Sequence, residues 1–127
     1  IGAFFNDGNG DNSGHVRVHH MVGEGSGSSW QQLGQDIYGE AAGDYSGRSV
    51  SLSSDGKILA IGAFFNDGNG DNSGHVRVHH MVGEGSGSSW QQLGQDIYGE
   101  AAGDYSGRSV SLSSDGKILA IGAFFND

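Results

Sequence analysis

The chain has no cysteine and no proline among its 127 residues, and only 6 basic side chains stand against 15 acidic ones. Without cysteine no disulfide framework can form, and cysteine usage gives no indication of redox compartment. A net charge of −9 makes a surface that repels nucleic-acid phosphates and anionic lipid, so neither is expected as a partner. The same charge favours solubility and leaves divalent cations as a class to test. No apolar run approaches the ~18 residues that a membrane-spanning helix needs, so no membrane insertion is expected. No signal-peptide pattern opens the chain. Ile1 starts in what reads as mid-strand, as expected of a processed terminus or an excised fragment. Sustained helical periodicity is missing as well. Apolar residues make up only 35%, and 25 residues are glycine. The apolar ones cluster in strand-like runs, which argues against disorder.

Internal repetition dominates what remains. Residues 1–60 recur without change as 61–120, and 121–127 begin a third copy. The chain therefore divides into repeat 1 (1–60), repeat 2 (61–120) and the start of repeat 3 (121–127). Complete identity implies either a designed repeat or a natural array kept uniform by recent duplication.

Each repeat is organised around Asp44–Phe65, which reads as a β-hairpin. Val50 and Leu52 alternate with serines, as in a half-buried strand. Ser54-Asp55-Gly56 supplies a turn with Gly56 at positive φ. Ile58–Phe65 is apolar on both faces, so it belongs inside a sheet covered on both sides. His15–Val22 is a further strand, with His20 expected to face the sheet interior beside Val18 and Val22. Trp30–Ile37, more polar, reads as an outer strand. The expectation is an all-β fold with four antiparallel strands per repeat, the pattern of a propeller blade.

Here the sequence resembles a known family. Tyr45-Ser-Gly-Arg-Ser-Val, then Ile58-Leu-Ala-Ile-Gly-Ala, then Gly14-His-Val-Arg-Val-His in the neighbouring copy, resembles the FG-GAP repeat of integrin-α-type β-propellers. The likeness covers essentially the whole repeat. It implies a propeller-blade fold, a non-enzymatic binding or structural role, and an extracellular location. Two departures stand out. Phe64 takes the place of the family's proline. The calcium loop that many members carry in this hairpin is reduced to Ser53-Ser54-Asp55-Gly56, whose single carboxylate is too few for a site.

A different loop offers oxygen ligands at alternating positions: Asp7, Asn9 and Asp11, repeated as Asp67, Asn69 and Asp71. These six are the candidate calcium ligands. The pattern then fails, since Asn12 stands where an EF-hand loop has glycine and Val18 where it has glutamate. The competing reading is a turn built from residues that tolerate unusual backbone angles. His15 and His19 share a strand face roughly 13 Å apart, too far to ligate one ion. Asp36, Glu40 and Asp44 lie in the glycine-rich crossing between repeats, where they are expected to accept backbone N–H bonds. No nucleophile elbow or other catalytic spacing is present, so enzymatic activity is not expected and no cofactor beyond calcium is implied. Trp30 and Tyr38 read as packing anchors between blades.

A blade cannot cover both of its own faces, so two repeats are expected to self-associate through exposed blade edges. The expected product is a β-propeller completed by homo-oligomerisation. Residues 121–127 and 1–7 compete for one position, which makes an open β-repeat filament the alternative. The leading function is a structural, self-assembling and adhesive or filament-forming repeat protein. The runner-up is a module recognising a protein or glycan ligand, with calcium in its loops.

Overall fold

A computed structural model describes residues 1–126. The fold is all-β. Strands follow in the order β1 (Gly2–Ala3), β2 (His15–Val16), β3 (His19–Val22), β4 (Ser29–Gln32), β5 (Ile37–Tyr38), β6 (Ser49–Leu52), β7 (Ile58–Ala63), β8 (His75–Val82), β9 (Ser89–Gln92), β10 (Ile97–Tyr98), β11 (Ser106–Leu112) and β12 (Leu119–Ala123). The only helical pieces among the described residues are 3₁₀ turns at Gly25–Gly27 and Gly85–Gly87.

One complete blade runs from β6 to β10. Its antiparallel order is β6-β7-β8, and β8 then carries β10 at its start and β9 at its end. Strand β7 is central, and its apolar run is buried from Leu59 to Ala63, as expected of a strand covered on both faces. The turn from β6 to β7 forms at Ser53–Gly56. Gly56 takes φ +72°, and Asp55 Oδ1 accepts from Ser53 Oγ and the Lys57 N–H at 2.8 and 3.0 Å. The period counted from Ile1 falls between Ala60 and Ile61, inside β7.

Two strand expectations are corrected. The single outer strand Trp30–Ile37 is two short strands, β4 and β5, as β9 and β10 are in the next copy. Gly34 and Gly94 break it by adopting φ of +76° and +79°, a left-handed conformation that no strand can continue through. His20 does not face the interior and is exposed, whereas His15 and His75 are buried. The start of this strand is covered on both faces, so burial follows position along the strand rather than alternation.

On either side lie partial copies of the blade. Ahead of it, β1-β2-β5 form one small sheet and β3-β4 another. These correspond to the end of β7 and to β8, β9 and β10. Behind it, β11-β12 repeat the β6-β7 hairpin. The main core lies between the first two units: Val16, Val18 and Ile37 pack against Leu59, Ile61 and Trp90. Full burial of Leu59 and Val16 contributes on the order of 2 kcal/mol each.

The two faces of each hairpin differ. Ser49 Oγ donates to Gly107 O at 2.7 Å, and Ser51 Oγ accepts from the Leu112 N–H at 3.0 Å. The serine side of β6 therefore faces the following blade. Val50 and Leu52 point the other way and are 37% and 46% exposed. In β11 the pattern inverts: Val110 and Leu112 are half-buried against β6 and β7, and Ser109 and Ser111 are exposed. Identical residues differ in burial because each blade presents its Val/Leu side backward and its serine side forward.

Candidate functional site

The loop expected to bind calcium is held as a tethered turn. Asp7 Oδ1 accepts from the Asn12 N–H at 2.7 Å, and Asp67 does the same for Asn72 at 2.7 Å. Asn12 and Asn72 sit at φ +56° and +54°, the left-handed backbone that asparagine tolerates. Asn9 Nδ2 donates to both Gly39 O and Glu40 O at 2.9 Å, and Asn69 to Gly99 O and Glu100 O at 2.8 and 3.1 Å. The Asp11 and Asp71 carbonyls accept from the Gly43 and Gly103 N–H groups at 2.8 Å. Asp7, Asn9 and Asp11 are exposed, as are their copies. In this arrangement the loop ties each strand pair to the crossing that leads into the next blade.

A second cluster was not visible in the sequence. Glu40, His75 and Asp96 bring ligating atoms within 4.8 Å of one another. Arg77 occupies the middle: its guanidinium is 2.7 Å from both Asp96 oxygens and 3.0 Å from Glu40 Oε2. Gln92 Nε2 and Tyr98 Oη donate to Asp96 as well, at 2.6 and 3.2 Å. Two carboxylates around one guanidinium are already neutralised by charge-assisted hydrogen bonds, so this is an ionic clasp. Glu40 belongs to the crossing after the first unit and Arg77 to β8, so the clasp ties the two together. The Arg77 hydrogen bonds hold the Asp96 carboxyl well below the usual carboxylate range. Burial, with Arg77 second, pushes His75 and His79 down to about 4. Both rings are neutral at pH 7, and the Nδ1 atom of each is buried without a hydrogen-bond partner.

Arg17 and Asp36 form the same pair in the first unit, at 2.8–2.9 Å. Asp36 and Glu40 thus bind arginine rather than backbone N–H groups, a correction to the reading of the crossing. Asp44 keeps to that reading in part. It is buried, accepts from Asn66 Nδ2 at 2.8 Å, and is raised by burial. The signal that could have found the clasp is an arginine placed mid-strand between apolar residues, which needs an acidic partner from elsewhere in the chain.

The third feature is an apolar groove of about 710 Å³, lined by Val16, Val18, Trp30, Val50, Leu52 and Leu59 among others. Trp30 in it is 67% exposed, whereas its copy Trp90 is 3% exposed. Trp90 Nε1 donates to Leu33 O at 2.9 Å, and its backbone N–H and C=O pair with the Gln35 amide at 2.8 and 2.7 Å. The tryptophan is an anchor between units wherever a preceding unit is present. Tyr38 is different. It lies over Gly8 and packs edge-on against His15 within its own unit.

Aromatic side chains also run from unit to unit. Tyr45 packs against Phe4, Phe5, Phe64 and Phe65, and Tyr105 continues to Phe124 and Phe125. Phe64, standing where the resemblance expects proline, is buried in this ladder just after β7 ends.

Residues 39–78 match the family model described as FG-GAP repeat. No curated protein matches the chain at a significant level. The matched span holds the β6-β7 hairpin and the start of β8, the same residues that carry the resemblance read from the sequence. Residues 39–78 are an FG-GAP repeat, carried in a chain of all-β repeats.

Proposed function

We propose that the chain is a non-enzymatic structural module of β-propeller type, whose blades stack face to face and self-associate through their open edges. The observation that carries this reading is the repetition of unit-to-unit contacts along the chain. Trp90 with Leu33 and Gln35, Arg77 with Glu40, and Tyr45 and Tyr105 in the aromatic ladder all join one copy to the next. Their identical counterparts at the two ends, Trp30 and Gln95 among them, stand exposed. The polar residues most suggestive of chemistry are occupied in holding this stack together.

The test is the native mass of the 127-residue chain by light scattering, with and without chelator. The expected result is a mass of two or more chains that is indifferent to chelator. A monomer at all concentrations would sink the reading. A second reading, recognition of a protein or glycan with calcium at Asp7, Asn9, Asp11, Asp67, Asn69 and Asp71, is favoured by the exposure of these side chains. It predicts a discrete particle whose melting temperature rises with calcium. Alanine at those six positions would then abolish the rise.

A further inference from the structure

Contacts between the first two units specify a complementary pair of surfaces at the chain's two ends. In the complete blade, Ile58, Leu59, Ala60 and Ile61 pair with His80, His79, Val78 and Arg77. In the first unit the corresponding ladder holds only Gly2↔Val16 and Ala3↔His15, extended by the Ile1–Arg17 backbone bonds. Among the described residues, Val18, His19 and His20 have no strand beside them on that edge. The hairpin that would fill it is present in the molecule as β11-β12, where Ile118 is 70% exposed. Its sequence is that of β6-β7.

We propose that a second copy of this chain docks its β11-β12 hairpin into the apolar groove, completing the first unit as a hybrid blade in the register of β7 on β8. The proposal rests on the self-association reading and names its surfaces. Ile118, Leu119 and Ala120 of the donor pair with His20, His19 and Val18 of the acceptor. The exposed serine side of β11 covers Val50 and Leu52, as the serine side of β6 covers Val110 and Leu112. The same shift of one repeat sets donor Leu93 and Gln95 against acceptor Trp30, and donor Glu100 against acceptor Arg17. Donor residues 121–126 displace acceptor residues 1–6, which have the same sequence. That exchange replaces each contact with an identical one and is close to neutral. The ladder pairs at 118–120 and the covered groove are net gains. Each chain has one donor and one acceptor end, so the contact is heterologous and either closes a ring or runs on.

Cysteine pairs test the register directly, because the chain has none of its own. Cross-strand neighbours lie about 4.5–5.5 Å apart at Cα, within disulfide reach. Ile118→Cys with His20→Cys changes two exposed positions, so the fold is spared. Mild oxidation is expected to link most chains into covalent multimers. Ile118→Cys with His80→Cys is the control, since the edge at His80 is already taken by Ile58, and it should stay unlinked. An oligomeric mass without cross-linking of the first pair would overturn this docking site while leaving self-association standing. A monomer in both variants would overturn both. Gly122→Ala supplies a second arm. In the isolated chain its Cβ meets only the Ser109 side chain, but in the hybrid blade it would strike the acceptor's Gly47 carbonyl, as Gly62 already abuts Gly107. Association should weaken by about tenfold or more with melting little changed, and unchanged association would count against the hybrid blade.

Discussion

Gly62 has no room for a β-carbon, because the Gly107 carbonyl oxygen of the following unit occupies that space. The residue is glycine for close approach between sheets, and its φ is ordinary. Gly62→Ala must therefore push two units apart, at a cost of about 2–3 kcal/mol read as a lowered urea midpoint. The histidines set a pH dependence at the same scale. His75 and His79 fall from 6.5 to about 4 on folding, so the unfolded chain binds more protons between those values. Stability is fully present above about pH 6.5 and falls as pH drops towards 4, by up to about 3 kcal/mol for the deeply buried His75. Asp96, depressed by Arg77, adds loss at still lower pH, whereas Asp44, raised by burial, acts in the opposite sense. Thermal melts across pH 7 to 4 should show the decline, and His75→Gln with His79→Gln should flatten it.

Identical elements do unequal work in this chain. Strand β8 is continuous over eight residues because β7 lies along it. The same sequence in the first unit divides into β2 and β3, where only β1 is alongside. Gln35 gives both amide atoms to the Trp90 backbone, in effect standing in for one more strand residue. Gln95, the same residue sixty positions on, is exposed. Gln35→Ala should cost about 1–3 kcal/mol by leaving part-buried backbone groups unpaired, and Gln95→Ala should stay within about 0.5 kcal/mol. Paired chemical denaturation curves of the two variants check the difference. Equal losses would mean that Gln95 is also engaged, as the hybrid blade requires. The measurement is therefore made at a concentration where light scattering finds single chains.

At the scale of the molecule, stability and assembly are one question. A single complete blade carries the core, and both flanking units leave apolar surface open: Trp30, Val50 and Leu52 at one end, Ile118, Phe124 and Phe125 at the other. Mass action then predicts a melting temperature that rises with protein concentration. A concentration series by calorimetry reads this directly, and a constant value would contradict assembly through these ends. The Trp90→Phe variant leaves Trp30 as the only tryptophan. Its emission should shift to the blue on association, as the ring passes from water to a buried site.

Much of this was legible in the residues. The sixty-residue period, the all-β character, the β6-β7 hairpin with its turn at Gly56 and the FG-GAP likeness follow from local pattern, since alternation, turn chemistry and identity are properties of neighbouring residues. What the sequence left open depends on which blade lies next to which. Alternation could say that Val50 and Leu52 oppose the serines but not that they face backward along the stack. Nor could it place Glu40 beside Arg77, or His15 rather than His20 in the interior. Two copies with the same letters have the same local preferences. Only tertiary structure could make Trp90 a buried anchor and leave Trp30 in water, because burial belongs to the neighbour and not to the side chain.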